Sequence, residues 1–376
     1  MNKTAFLICA TGWGGLEMHS LKMFNWLTGN GQKISLYLTK NTTIHQKAKE
    51  LNVPYTLIKR SRKYLDVYNA FLFAKMLKAK NEKTLVVFDN KDLDFAFFTK
   101  LFYKSLKVIY QQHMQVGIDK KDFLHTLRFN SINIWVTPLS NLKEQVISRT
   151  KVPSSKIKVI PYGIEVNKFN NVAESIQTAR KKLHIQCSNV PLIGILGRID
   201  PMKGQLFILM AIHHLILSGT KVKLLIMGDA TIDHHEGKVY EQKIKDYISA
   251  HKLESDVYLK SFRDDVIVFY KAVDLCALAS DNETYGLVAI ESLLAGTPVI
   301  SNTAGGIKEI LEHGELGILY KPGDIEDFCV NVKKLLNNPK EMQTLTDKGR
   351  ERAILKYTHV NECNEWEKML NSIIQE

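Results

Sequence analysis

The sequence predicts an α/β protein made of two Rossmann-like domains, each a parallel sheet with helices on both faces. Three observations carry that expectation. Short apolar runs alternate with segments of helical period along nearly the whole chain, the rhythm of βαβ units. The length, 376 residues, exceeds what one ordinary core fills and suits two domains. A polar, turn-rich stretch, PYGIEVNKFNN, follows a completed strand and places a joint near Pro161 to Glu174.

In the first half the strand-like runs are Ala5 to Cys9, Ile34 to Leu38, Thr84 to Phe88, Val108 to Tyr110 and Ile132 to Thr137. The first leads into a helix with Leu16, Met23, Phe24 and Leu27 on one stripe. In the second half the runs are Leu192 to Leu196, Val222 to Met227, Val257 to Leu259, Leu275 to Leu278, Val299 to Ser301 and Ile318 to Tyr320. Between the fourth and fifth of these, Gly286 to Gly296 reads as a helix with Leu287, Ile290, Leu293 and Leu294 on one side. Beyond Asp324 the pattern is helical to the end, with Phe328, Val332, Leu335 and Leu336, then Trp366, Met369, Leu370 and Ile373, at helical spacing.

Composition, 45% apolar and 24% charged, is that of a soluble globular protein, and no stretch approaches the roughly 20 apolar residues that span a bilayer. Thr4 to Ala10, behind the single charge of Lys3, is too short for a signal peptide. Cys9, Cys187, Cys276, Cys329 and Cys363 are scattered without a CxxC pair, which fits a reducing cytoplasm and neither a disulfide framework nor a metal site.

The net charge of +12 is unevenly placed. Residues 1–165 hold 26 Lys and Arg against 11 Asp and Glu, while the remainder holds 25 against 28. An anionic partner facing the first half is expected: membrane lipid, nucleic acid or a phosphorylated glycan. Basic residues alternate with Tyr64, Tyr68, Phe71 and Phe73 between Lys59 and Lys83, and with Phe97, Phe98, Phe102 and Tyr103 between Phe95 and Lys107. Such segments suit a membrane interface, or equally a core with a solvated lysine rim. No recognised nucleic-acid module is visible, so nucleic acid is the least supported partner.

The chemistry concentrates in DNETYGLVAIESLLAGTPVIS, where Glu283 lies in a strand-to-helix loop and Glu291 inside the following helix. Amides of the first helical turn, around Thr284, Tyr285, Gly286 and Leu287, can hold an anion, and a carboxylate accepts hydrogen bonds from vicinal hydroxyls. Phosphate and polyol can be gripped together, although two helix-associated glutamates alone are commonly surface residues. Their place at a strand end of an open α/β sheet favours a ligand.

Upstream, GRIDPMKG puts Arg198 and Lys203 over another strand-to-helix turn, where a fork of donors and a point charge can converge on one diphosphate. Gly12, Gly14 and Gly15 follow the first strand and allow close backbone approach at a helix start. That run is not GxGxxG and no acid ends the second strand, which disfavours a nicotinamide dehydrogenase. His113 sits at a strand's carboxyl edge, either as a ligand or as a structural histidine. Asp92 and Asp94 form a D-x-D triplet at a helix start, where acids suit the dipole better than a metal, and His234 and His235 are adjacent loop residues whose side chains diverge.

Together these residues resemble the retaining glycosyltransferases of family 4, which have the GT-B architecture. Its landmarks occur in order as GGLEMH at Gly14 to His19, PYGIEVNKF at Pro161 to Phe169, GRIDPMKG at Gly197 to Gly204, ETYGLVAIE at Glu283 to Glu291 and AGTPVISNTAGGIKEI at Ala295 to Ile310. Thr284, Tyr285, Tyr162 and Ala230 depart from the commoner residues.

The resemblance implies two domains facing across a cleft: an acceptor-binding domain over 1–165, joined by a last helix, 358–376, that crosses back to it, and a donor-binding domain over 172–357. It implies that Arg198 and Lys203 hold the donor diphosphate, Glu291 the ribose hydroxyls and Glu283 those of the transferred sugar. Gly14, Gly15 and the Tyr285, Gly286 and Leu287 amides would lie against phosphate or sugar, with His113 near the sugar's hydroxymethyl. The expected reaction is metal-independent, cofactor-free, retaining transfer of a hexose from a UDP- or GDP-linked sugar to a glycan or glycolipid, in cell-envelope polysaccharide or lipopolysaccharide assembly. The expected location is cytoplasmic, peripheral on the inner face of the membrane. A nucleotide-sugar epimerase of the same architecture and a non-catalytic nucleic-acid-binding protein are the alternatives.

Overall fold

A computed structural model describes residues 3–12, 14–60, 65–170, 175–186, 189–230 and 235–373. Tyr64, Cys187, Asp233, His234 and positions 171–174 of the expected joint lie outside the described residues. The chain divides into two units, Met1–Gly163 with His359–Glu376, and Ile164–Thr358.

Unit 1 runs β1 Lys3–Ile8, α1 Gly15–Gly29, β2 Ile34–Thr39, α2 Thr43–Glu50, β3 Thr56–Ile58, α3 Val67–Ala79, β4 Glu82–Val87, α4 Leu93–Phe102, β5 Lys107–Gln111, α5 Phe123–Asn130, β6 Ile134–Thr137, α6 Ser140–Arg149 and β7 Ile157–Val159. All seven strands are parallel, in the order β3-β2-β1-β4-β5-β6-β7. Successive side chains of a strand point to opposite faces. Ala5 and Leu7 accordingly join one core with Tyr37, Leu85 and Phe73, while Phe6 and Ile8 join a second with Leu36, Val86 and Phe88. Being buried on both faces, the strands read as nearly unbroken apolar runs, which is why most were legible. β3 and β7 lie outside the expected runs: both are three-residue edge strands, too short to show a period.

Unit 2 runs α7 Asn167–Asn170, α8 Ile176–Lys182, β8 Leu192–Leu196, α9 Gln205–Leu217, β9 Lys223–Met227, α10 His235–Ala250, β10 Val257–Lys260, α11 Ile267–Ala272, β11 Leu275–Leu278, α12 Leu287–Ala295, β12 Val299–Asn302, α13 Ile307–Ile310, β13 Ile318–Tyr320, α14 Ile325–Asn337 and α15 Pro339–Lys356. Its six strands are parallel in the order β10-β9-β8-β11-β12-β13. The last helix, α16 His359–Ser372, belongs to unit 1, where Trp366, Met369, Leu370 and Ile373 fill the core around Phe6 and Ile8.

The basic-aromatic segments divide between core and surface. Phe73, Phe95 and Tyr103 are buried, whereas Tyr68, Leu72, Leu101 and Phe102 are exposed. Asp92 and Asp94 do not act as a pair: Asp92 is buried against the Arg60 guanidinium and accepts from Cys9 N–H at 3.1 Å, and Asp94 meets Arg128 at 3.2 Å. Among the described residues no three His, Cys, Asp or Glu side chains are grouped to hold a metal ion.

Candidate functional site

In unit 2 the chain winds outward from β8 and β11 in opposite directions, β8 leading to β9 and β10, and β11 to β12 and β13. Loops leaving such a pair diverge and open a crevice at the strands' carboxyl ends. A small cavity of about 50 Å³ lies there, lined by Gly197, Lys203, Ser280, Glu283 and Val288 among others.

Local folding delivers the charged groups to it. β8 runs through Arg198 and Asp200 into one 3-10 turn, Pro201–Lys203, capped by Asp200, which accepts from Met202 N–H at 3.0 Å. Gly204, at φ 71°, closes that turn and opens α9. A Cβ there would stand 2.4 Å from the Ala279 carbonyl oxygen, so glycine lets the β8 loop lie against the end of β11. Asp281 N–H donates to Met202 O at 3.0 Å across the same junction. Lys203 Nζ then meets Glu283 Oε2 at 2.7 Å, and Ser280 Oγ donates to that oxygen at 3.3 Å.

The backbone of Glu283 is clamped from the other side by the turn after β12. Gly306 N–H donates to Glu283 O at 2.8 Å. Gly305 sits at φ 65°, and a Cβ on it would fall 1.9 Å from the same oxygen. Asn302 Nδ2 adds a bond to Ser280 O at 3.0 Å. The paired glycines of the AGTPVISNTAGGIKEI landmark thus hold the loop that carries Glu283.

Thr284 and buried Tyr285 complete the turn into α12, with Gly286 at its N-cap and Leu287 its first residue. Glu291, in the second turn, accepts from Tyr270 OH at 2.8 Å. Burial, and then the Glu291 charge, push the pKa of Tyr270 well above its ordinary value, so this hydroxyl remains a donor at neutral pH. Arg198 is not part of that contact: its side chain is 60% exposed and pairs with Asp200 at 3.0 Å. The structure therefore joins Lys203, Glu283 and Ser280, places Thr284 to Leu287 next to them in the chain, and leaves Arg198 paired with Asp200 on the loop after β8.

Gly14, Gly15 and His113 belong to unit 1. Glu17 accepts from Gly14 N–H at 2.9 Å, closing the first turn of α1 with its own carboxylate, while a Cβ on Gly15 would meet nothing within 4 Å. His113 follows β5. Its Nδ1 meets Tyr162 OH at 2.9 Å, and its buried Nε2 has no hydrogen-bond partner among the described residues.

Sequence reasoning missed the groups around it. His19 Nε2 lies 3.0 Å from Glu362 Oε2, which also accepts from Gly163 N–H at 2.7 Å. Glu362 therefore ties α16 to α1 and to the point where the chain leaves unit 1. The available signal was an acid on an apolar stripe, since Glu362 precedes Trp366, Met369 and Ile373 at helical spacing.

Burial first, and then the neighbouring His19, hold the His113 pKa well below 6.5. Its ring is faced by Tyr162, His19 and Phe88. The folded state keeps this imidazole neutral where the unfolded chain takes up a proton, so its stabilisation is complete above about pH 6.5 and declines as pH falls below it. Urea unfolding at pH 7.5 and pH 5 is expected to show that loss, and His113→Gln to lessen it; an unchanged slope would contradict the neutral assignment.

Residues 176–352 match the family model described as glycosyl transferases group 1. The chain is 27% identical over 243 residues to the capsular polysaccharide biosynthesis glycosyltransferase CapM of Staphylococcus aureus, covering 63% of this chain and 60% of CapM. It is 30% identical over 186 residues to the alpha-monoglucosyldiacylglycerol synthase of Streptococcus pneumoniae, covering 48% and 40%. The matches thus span about half the length of these curated relatives. Among solved structures, Anabaena HepE in complex with UDP superposes with a TM-score of 0.86 at 19% identity, covering 99% of this chain and 100% of HepE, a likeness of fold. The family match, the ordered landmarks and the two parallel sheets agree: residues 176–352 carry the sequence of a group 1 glycosyltransferase domain, and the chain has the GT-B architecture.

Proposed function

We propose that the protein is a retaining hexosyltransferase, moving a hexose from a UDP- or GDP-linked sugar to a glycan or glycolipid acceptor in cell-envelope polysaccharide or lipopolysaccharide assembly. The observation that carries this reading is the Lys203–Glu283 contact at the β8–β11 crevice. Cation and carboxylate are held 2.7 Å apart at the place where open α/β sheets bind nucleotides. An arriving diphosphate would draw the ammonium to itself and free the carboxylate to accept from sugar hydroxyls.

Arg198, exposed and close by in sequence, would swing from Asp200 onto the phosphates as a second cation, and Glu291 would take the ribose hydroxyls. The helix-end amides of Thr284 to Leu287 would face the phosphate or sugar. Gly14, Gly15 and His113 of unit 1 would complete the donor contacts, with unit 2 binding the donor and unit 1 the acceptor.

Negative charge develops on the diphosphate as its bond to the anomeric carbon breaks, and fixed cations stabilise it without reorganising. No metal is required in this account. The acceptor oxygen would bond to the same face of that carbon and give its proton to the departing phosphate, so neither glutamate acts as a nucleophile. The relatives' names fit such acceptors, CapM being a capsular polysaccharide protein and the streptococcal relative a glucosyldiacylglycerol synthase, and HepE has been solved with UDP-glucose. No helix among the described residues is long and apolar enough to cross a membrane, and the protein would work in the cytoplasm, peripherally at the inner membrane face.

The test is incubation with UDP- and GDP-sugars labelled in the hexose, with and without candidate acceptors. Acceptor-dependent release of the nucleoside diphosphate, persisting with chelator and with retained anomeric configuration, is expected. Conversion of the sugar without any acceptor would assign an epimerase instead.

A further inference from the structure

α5 is amphipathic the wrong way round. It buries one large apolar residue, Phe129, and exposes three: Phe123 at 76%, Leu124 at 73% and Leu127 at 44%. The loop before it adds Met114 at 67% and Ile118 at 71%. Apolar side chains in that number on one short segment mark a surface that is covered in use.

A basic concavity adjoins this face. About 430 Å³ in volume, it is lined by Lys91, Asp94, Lys120, Leu124, His125 and Arg128 among others. At about 100° per helical residue, Phe123, Leu127 and Leu124 occupy one arc of α5, and Leu124, Arg128 and His125 the next, so Leu124 belongs to both. Asp94 is already met by Arg128, and Asp122 is turned back to accept from His125 N–H at 3.1 Å. The ammonium groups of Lys91 and Lys120 have no carboxylate partner among the described residues. Burial, and then the Arg128 charge, lower the Lys120 pKa.

We propose that this concavity takes the phosphate of a lipid at a membrane surface while Phe123, Leu124, Leu127, Met114 and Ile118 enter the bilayer. A cationic pocket rimmed by exposed apolar side chains matches a molecule that is anionic at its head and apolar directly behind it. A free sugar phosphate explains the cations but leaves the apolar face in water. Naming this lipid as the sugar acceptor rests on the glycosyltransferase reading; the docking itself does not.

Flotation of the full chain with phosphatidylcholine vesicles, with and without phosphatidylglycerol, tests it. Binding to the anionic vesicles alone is expected, with a drop of about tenfold in Lys91→Ala/Lys120→Ala and a comparable drop in Phe123→Ser/Leu124→Ser. Phe123→Trp supplies a readout that needs no loss of binding: its emission should shift to the blue on anionic vesicles. Equal recruitment to neutral vesicles, no effect of either double substitution, or saturation by inorganic phosphate without vesicle binding would each overturn the proposal. UDP protection of the wild-type chain against heat, measured separately, reports on the donor reading, so the two fail independently.

Discussion

Lys203→Ala is expected to lower sugar transfer by about 10²–10³-fold in a chain that stays folded. That is the usual loss when one fixed charge or donor is removed from the place where transition-state charge develops. The Lys203 and Glu283 side chains keep 33% and 19% of their exposure, and a pair so placed contributes only about 0–1 kcal/mol to stability. Loss of fold will therefore not explain the loss of activity. Glu283→Ala is expected to be comparably damaging but different in kind. Lys203 meets a group common to every nucleotide sugar, so its removal should affect all donors alike, whereas removal of Glu283 should narrow the difference between hexoses that differ in one hydroxyl. Steady-state rates on two epimeric donors separate these roles; near wild-type rates in both variants would remove the site from this crevice.

Gly305→Ala is expected to have the largest effect on stability. The position needs φ 65°, which disfavours any side chain, and the new Cβ would fall 1.9 Å from a backbone oxygen that cannot rotate away. Left-handed strain and overpacking together suggest roughly 2–4 kcal/mol, a fall on the order of 5–15 °C in Tm for a unit of this size. Because the displaced oxygen is that of Glu283, activity should fall even well below Tm. Gly323→Ala is the control: φ is 75° there too, but nothing lies within 4 Å of the new Cβ, so only the backbone strain of about 1 kcal/mol remains. Equal shifts in the two variants would mean that the Gly305–Glu283 contact is not tight.

How much the sequence reveals depends on the range of the interaction. β8, β11 and β13 match the expected runs residue for residue, and α12 starts and stops at the glycines that punctuate it, because burial and turn chemistry are local. The Lys203–Glu283 contact spans 80 positions and exists only because β8 and β11 are neighbours in the sheet, which no spacing announces. Arg198 shows the same limit, since proximity in sequence to Lys203 did not say that it would turn to Asp200. Phe123, Leu124 and Leu127 are deceptive for the opposite reason: apolar residues at helical spacing read as core, and only the structure shows that this stripe faces outward.

A crystal structure of the chain soaked with UDP decides whether the β8–β11 crevice holds the donor. The diphosphate is expected within hydrogen-bond reach of Lys203 Nζ and the ribose hydroxyls on the Glu291 carboxylate, with the Lys203–Glu283 contact loosened. Nucleotide bound at the carboxyl ends of β1 and β4 in unit 1, with Lys203 still on Glu283, would contradict it.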